Sequence, residues 1–218
     1  MSQTKIVIID DHVLLRSALA NLVNSFPDCK VIYEARNGLE FIEKLKQQQA
    51  PDVVLLDLSM PEMDGYDTAI WLKKHHPGIH VLMLTMYDSE LTLIRLLQAG
   101  VKGFLKKDID PSELKFAINS VMGSGYYYST QTAGRLANLF RNSSVANPKV
   151  QNALMTDQEI SFLKMACTDK TYKEIAQEMG LSPRSVDALR DHLFVKLDVK
   201  SRVGLAMVAI KNGVVSMA

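Results

Sequence analysis

The chain has 218 residues, 47% of them hydrophobic, with a formal net charge of +1. That is enough apolar material for two cores. No apolar run is long enough to cross a bilayer, and Met1-Ser2-Gln3-Thr4-Lys5 lacks the basic-then-apolar layout of a signal peptide. Cys29 and Cys167 stand far apart with no CxxC or Cys/His grouping, so they read as ordinary buried thiols and metal–thiolate chemistry is not indicated. The expectation is a soluble cytoplasmic protein of two domains, not a membrane protein.

Lys5-Ile6-Val7-Ile8-Ile9 is a short apolar, β-branched run that ends in Asp10-Asp11. Leu15, Leu19, Leu22 and Val23 follow at helical spacing, and Phe26-Pro27-Asp28 stops that helix. Residues 30–35 predict a second strand, and Asn37 is placed to cap a helix carrying Phe41, Ile42 and Leu45. Val53-Val54-Leu55-Leu56-Asp57 is apolar throughout and ends in a carboxylate, the pattern of a strand buried on both faces. Residues 64–76 predict a helix closed by His75-His76-Pro77-Gly78; adjacent histidines on a helix point apart, so the pair reads as a surface cap. His80 to Leu84 is a fourth strand, ending in Thr85, followed by a helix through Leu93, Ile94 and Leu97 that Gly100 ends. Residues 102–105 give a fifth strand, ending in Lys106-Lys107. Asp110 then caps a helix with Pro111 in its first turn and a stripe of Leu114, Ala117, Ile118 and Val121.

Strands alternating with helices predict a doubly wound parallel sheet. Its carboxyl edge, where open α/β sheets bind ligands, gathers Asp10, Asp11, Asp57, Thr85 and a lysine. Each acid taken singly is explained as a helix or turn cap; all of them closing strands at one edge is not. Three carboxylates brought together repel, and a hard divalent cation is their natural partner. With Mg²⁺ and one ammonium their charges sum to about zero, so such a site can accept a phosphoryl group, with Asp57 as nucleophile. Thr85 can hydrogen-bond one phosphoryl oxygen, and the ammonium can pair with another.

The runs Ile8-Ile9-Asp10-Asp11-His12, Leu55 to Gly65 with its Ser59-Met60-Pro61 turn, Leu84-Thr85, and Gly103-Phe104-Leu105-Lys106-Lys107-Asp108 resemble the receiver domain of bacterial two-component response regulators. The match spans residues 4 to about 122. The resemblance implies a flavodoxin-like fold and phosphorylation at Asp57. It further implies Mg²⁺ held by Asp11, Asp57 and the Ser59 carbonyl, with Asp10 as outer acidic partner. Thr85 and Phe104 stand at the positions that change rotamer together on phosphorylation. Lys106 or Lys107 is the phosphate lysine, and family spacing favours Lys107. Asp108 replaces the proline that many relatives carry.

Gly123-Ser124-Gly125-Tyr126-Tyr127-Tyr128 marks a composition break. The tyrosines read as packing between the domains or across the sheet end. Residues 123–152 form the expected linker, with a short helix over 132–140 and a tether over 141–148. The second domain is expected over 153–218. Thr156 with Glu159, and Thr171 with Glu174, are capping boxes for helices bearing Ile160, Leu163 and Cys167, then Ile175, Ala176 and Met179. Gly180-Leu181 turns the chain, and Ser182-Pro183 open a longer helix with Val186, Leu189, Leu193 and Leu197 on one face. That layout is an all-α, four-helix helix-turn-helix domain, its last helix spanning 203–214.

Residues 148–218 carry ten Lys/Arg against eight Asp/Glu, a weak excess for a DNA binder. Yet residues 154–159, Lys173-Glu174-Ile175-Ala176, Gly180 to Val186, Lys196-Leu197 and Ser201-Arg202-Val203 are similar to the LuxR-type domain of the NarL/FixJ subfamily. The resemblance implies double-stranded DNA as a partner, a sensor histidine kinase upstream, and a homodimer on phosphorylation through Val203, Met207 and Ile210. Expected DNA contacts are Arg184, Ser185, Asp187, Ala188, Arg190, Asp191, Lys196, Lys200 and Arg202. Where many relatives carry lysine and then histidine, this chain has Asp187 and Leu189; another frequently basic position is Asp191. Acids there weaken phosphate contacts, although Asp can accept from cytosine N4. Two rivals follow from the residues: an adaptor whose acidic helix binds protein, and an aspartyl phosphatase. The second is weak because the position two after Asp57 is Ser59. Turnover beyond self-phosphorylation and slow self-hydrolysis is not expected.

Overall fold

The structure, a computed structural model, describes residues 3–86, 90–141 and 155–215. They fall into two compact units, the first over 3–86 and 96–137, the second over 90–95, 138–141 and 155–215. In chain order the elements are β1 (Thr4–Ile9), α1 (Val13–Asn24), β2 (Cys29–Ala35), α2 (Gly38–Leu45), β3 (Val53–Asp57), α3 (Gly65–His75), β4 (His80–Thr85), α4 (Glu90–Gln98), β5 (Gly103–Lys106), α5 (Pro111–Ser124) and α6 (Thr130–Arg141). The helices α7 (Asp157–Ala166), α8 (Tyr172–Glu178), α9 (Pro183–Lys196) and α10 (Arg202–Lys211) follow.

The sheet is five-stranded and parallel, ordered β2-β1-β3-β4-β5. Chain order reverses between β1 and β3, which opens a crevice at their carboxyl ends. Register aligns those ends: Ile9 faces Leu56, Asp57 faces Leu84, and Thr85 faces Lys106. Val53 to Leu56 are fully buried because both sheet faces are covered. One face carries Ile6, Ile8, Val53, Leu55, Leu82 and Leu105 against Val23 of α1 and Leu114, Ala117, Ile118 and Val121 of α5.

Two boundaries differ from expectation. Helix α5 runs through Gly123 and stops only at Gly125, whose φ of 85° lets its N–H close on Val121 O. Beyond it Tyr127 stays with the sheet: its N–H donates to Lys102 O at 2.8 Å and it bridges Gly103 in parallel. Gly103 makes this approach possible, since a Cβ there would lie 2.6 Å from Leu82 Cδ2 and 2.7 Å from Tyr127 O. The predicted linker helix is α6, and the tether beyond Arg141 lies outside the described residues.

In the second unit both capping boxes form, at Thr156/Glu159 and Thr171/Glu174. Ser182 caps α9 with Pro183 in its first turn, and Gly180 takes φ 65°. Ile160, Phe162, Leu163, Ile175, Val186, Leu193 and Leu205 make the core. Cys167 does not extend its helix's apolar stripe; it is the C-cap of α7. No helix among the described residues is long and apolar enough to cross a membrane.

Candidate functional site

The carboxyl edge of the sheet brings the expected acids together. Asp57 closes the central strand β3 and is 3% exposed. The loop after it returns tightly enough that a Cβ on Gly65 would lie 2.0 Å from Asp57 O. Asp10, one residue past β1, is fully buried; its Oδ1 accepts from the His12 N–H at 2.8 Å. Lys107, one residue past β5, joins the two, with Nζ 2.9 Å from Asp10 Oδ2 and 3.0 Å from Asp57 Oδ1. Lys106 is exposed, so of the two lysines it is Lys107 that meets the acids.

Burial pushes the Asp57 carboxyl up to about 6; Lys107 works against that, Asp10 adds to it, and the Ser59 N–H lowers it. Burial works to lower the Lys107 ammonium, but Asp57 and Asp10 outweigh it and raise its pKa. Two buried oxygens, Asp11 Oδ1 and Asp57 Oδ2, have no hydrogen-bond partner. Ligand atoms of Asp10, Asp11, His12 and Asp57 all lie within 4.8 Å of one another. Unsatisfied buried carboxylate oxygens are costly unless a cation meets them, and an oxygen-rich set of this kind fits a hard divalent ion. Thr85 is 4% exposed at the end of β4; Phe104 is 5% exposed, its ring 5.6 Å from that of Tyr128.

Sequence reasoning missed two members of this edge. The Arg16 guanidinium donates from Nη1 to Asp10 O at 2.6 Å and from Nε to Glu34 at 3.1 Å. The His12 ring lies against Asp10 and Asp11. Its signal was present: a histidine, a poor N-cap, directly after two acids at the start of a helix.

In the second unit, Arg184, Ser185, Asp187, Ala188 and Asp191 line the exposed side of α9. The basic residues divide. Arg190 donates to Asp187 at 2.8 Å and Asp191 at 2.9 Å, and its guanidinium lies 5.2 Å from the Tyr172 ring centroid. Lys196 is committed to the buried Glu159 at 2.7 Å, and Arg202 donates to the Ala166 and Thr168 carbonyls at 2.9 and 2.6 Å. Arg184 and Lys200 remain at the surface. The structure therefore places Lys196 and Arg202 in the scaffold that holds α9, a role the sequence did not reveal. Lys196 is also the main force holding the Glu159 carboxyl below the usual range against the opposing effect of burial. On α10, Val203 and Met207 are exposed at 71% and 62%, and Ile210 is half-buried. Val195, 83% exposed on α9, was not anticipated.

A lysine-bridged carboxylate pair at the switch point of a five-stranded parallel sheet, followed by a helix-turn-helix, defines a response regulator with a DNA-binding output domain. Residues 6–119 match the family described as response regulator receiver domain, and residues 153–209 match bacterial regulatory proteins, luxR family. The chain belongs to the response-regulator family, in its NarL/FixJ branch. It is 31% identical over 214 residues to the response regulator GacA of Pseudomonas syringae pv. syringae (strain B728a), covering 97% of each chain. It is equally 31% identical over 212 residues to the oxygen regulatory protein NreC of Staphylococcus carnosus (strain TM300), covering 95% of this chain and 97% of that one. The fold is shared with RcsB from Salmonella enterica serovar Typhimurium, solved bound to promoter rprA with phosphomimetic BeF3-. That likeness has a TM-score of 0.71 and 19% identity, over 94% of this chain and 98% of the other.

Proposed function

We propose that this protein acts in the cytoplasm, where a sensor histidine kinase transfers a phosphoryl group to Asp57 in a receiver domain of residues 1–122, and that this gates DNA binding by residues 153–218. The observation that carries the proposal is the buried Asp10–Lys107–Asp57 bridge beside an Asp57 oxygen that has no hydrogen bond. An ionised carboxylate with a free oxygen is a nucleophile, and a lysine already in contact with it can move to neutralise the product.

In the transfer, an Asp57 oxygen bonds to phosphorus as the donor's P–N bond breaks. The electron pair returns to the imidazole nitrogen, which takes up a proton. Asp11, Asp57 and the Ser59 carbonyl, with Asp10 as outer partner, would hold Mg²⁺, which when bound supplies charge neutralisation for the phosphoryl oxygens. The added dianion draws the Lys107 ammonium from Asp57 Oδ1 toward a phosphoryl oxygen and takes a hydrogen bond from Thr85. Phe104 and Tyr128 repack as Thr85 moves, and the change on the β5 side of the sheet favours a dimer through Val203, Met207 and Ile210. Coupling of about 1–3 kcal/mol shifts DNA affinity by roughly 5- to 150-fold. Slow self-hydrolysis of the acyl phosphate is the one further turnover.

The test is genomic-fragment selection by the purified full chain with Mg²⁺, with and without beryllofluoride. Enrichment of a two-half-site sequence only with the mimic is expected, and Asp57→Asn is expected to abolish it. A variant lacking Asp57 that still responds refutes the assignment. A chain that binds the mimic but enriches no DNA moves the output to protein binding.

A further inference from the structure

The amino edge of the sheet, opposite the acids, holds a cavity of about 330 Å³ lined by Pro51 and Asp52 before β3, His76 at the end of α3, Ile79 and His80 where β4 begins, and Met122 of α5. Strand β3 is five residues long, which puts Asp52 about 16 Å from Asp57 and outside the phosphoryl site. The polar groups of the cavity share one lack. Asp52 accepts from the Lys5 N–H through Oδ2 at 2.8 Å and has Oδ1 left over. His80 Nδ1 is buried and meets no hydrogen-bond partner among the described residues. Burial, with Lys102 adding to it and Asp52 opposing, holds the His80 imidazole below its usual range, so the ring is neutral at pH 7 and Nδ1 accepts when the proton is on Nε2. Lys102 itself does not line the cavity. His76 caps the C-terminus of α3, and Met122 lies in the last turn of α5. The last carbonyls of a helix lack intrahelical donors and carry the negative end of its dipole. A carboxylate oxygen, a bare ring nitrogen and two helix ends all call for a hydrogen-bond donor, and for a positive one.

A metal ion is too small for the part. Among the described residues, the group of three or more His, Cys, Asp or Glu whose ligand atoms lie within 4.8 Å of one another is at the other edge of the sheet. Asp52, His76 and His80 as they stand cannot close on a single ion. An ammonium carried on an apolar stem can donate to Asp52 and His80 while the stem packs on Pro51, Ile79 and Met122. The end of α3 also ties the cavity to a reporter. His76 has left the helix at φ −139° and ψ 61°, and its ring lies 5.3 Å from that of Trp71, the one tryptophan of the chain.

We propose that this cavity is a binding site for a small organic ammonium ion, whose charge meets Asp52 and His80 and whose apolar part meets Met122, Pro51 and Ile79. It lies at the opposite end of the strands from Asp57, so it is a second site of the same sheet and does not depend on phosphoryl transfer.

The experiment titrates the full chain with phenethylammonium chloride, following Trp71 fluorescence and the heat of binding, and repeats the titration with phenylpropionate, its carboxylate counterpart, and with ZnCl₂. Phenethylammonium is expected to bind with a Kd of about 1 mM or tighter, and phenylpropionate about tenfold more weakly or not at all. Asp52→Asn keeps an oxygen for the Lys5 N–H and removes the charge; it should weaken phenethylammonium about tenfold. His80→Phe keeps a ring and removes both nitrogens; it should weaken binding about threefold or more. Far-UV circular dichroism checks that each variant is folded. Phenylpropionate bound as tightly as phenethylammonium, a folded Asp52→Asn that binds unchanged, or no saturable binding up to about 20 mM overturns the proposal. ZnCl₂ that displaces phenethylammonium from the wild type but not from His80→Phe overturns it too, in favour of a metal site.

Discussion

Replacing Lys107 with methionine removes the one charge that lies between two buried acids and keeps most of the side-chain volume. The contacts are 2.9 Å to Asp10 and 3.0 Å to Asp57, with the lysine 13% exposed and the acids 0% and 4%. At an effective dielectric of about 20 each contact is worth about 5 kcal/mol, against several kcal/mol to desolvate the ammonium. The carboxylates stay buried and now repel, so the net loss in chelator should be about 3–5 kcal/mol, the range for breaking a buried pair from one side. The single tryptophan, Trp71, lies in α3 and reports unfolding of this unit in urea. Mg²⁺ should stabilise the variant more than the wild type, since it supplies the missing charge; at tenfold over its Kd that is about 1.4 kcal/mol. Adding Asp10→Asn should recover part of the loss. A Lys107→Met loss below about 1 kcal/mol in chelator, or equal Mg²⁺ effects on variant and wild type, would refute the reasoning.

Glu159 makes a pH-dependent contribution to the stability of the second unit. Its folded pKa is lowered, so its contribution is complete above the ordinary glutamate value and disappears as pH falls through the folded one. Glu159→Gln should cost about 3 kcal/mol at pH 7. The gap from wild type in circular-dichroism melts should begin to close as pH falls below the ordinary glutamate value, about 4.3; a gap that is flat with pH contradicts this. Gly65→Ala places a Cβ 2.0 Å from Asp57 O and must displace Asp57. Phosphorylation by a small phosphodonor, followed on Phos-tag gels, should slow on the order of 100-fold, and near-wild-type labelling would show that the loop yields freely. Asp187→Asn with Asp191→Asn releases Arg190. Filter binding to the selected operator should tighten, and the slope of log K against log[salt] should steepen by about 0.9 for each additional phosphate neutralised; an unchanged slope would mean Arg190 stays away from DNA.

The sheet and its acidic edge were legible because a strand buried on both faces leaves a continuous apolar run, and the residue that ends the run marks the carboxyl edge. Asp10, Asp57 and Thr85 could be placed from this alone. Which of the adjacent Lys106 and Lys107 meets the acids could not be told from the run itself; family spacing favoured Lys107, and the end of β5 at Lys106 agrees with it. Composition also could not say which glycine stops α5: Gly123 sits within the helix, and only the positive φ of Gly125 marks the end. Tyr127 read as linker because one bridge to Gly103 is a long-range fact without local periodicity. The partners of the basic residues of the second unit were hidden for a related reason. A lysine in sequence is a candidate phosphate contact; that Lys196 instead reaches Glu159, 37 positions away, is known only once α7 and α9 have packed.

Lysine or arginine stands between two carboxylates at two places among the described residues, and burial makes the two constructions behave differently. Lys107 between Asp10 and Asp57 is enclosed, so its charge can leave one acid only if another anion arrives, and a phosphoryl group on Asp57 is such an anion. Arg190 between Asp187 and Asp191 is 25% exposed and its partners 53% and 64%. Exposed pairs of that kind are worth about 1 kcal/mol or less, so a DNA phosphate can compete for the guanidinium at little cost. The acids on α9 therefore need not forbid DNA binding. Without DNA they hold Arg190 against Tyr172; on DNA they become two negative charges beside the backbone that only a base able to donate to them, such as cytosine through N4, relieves. Acids so placed on a DNA-contacting helix would set sequence preference while lowering affinity. Their replacement by asparagine should therefore flatten discrimination against substituted cytosines at the same time as it strengthens binding.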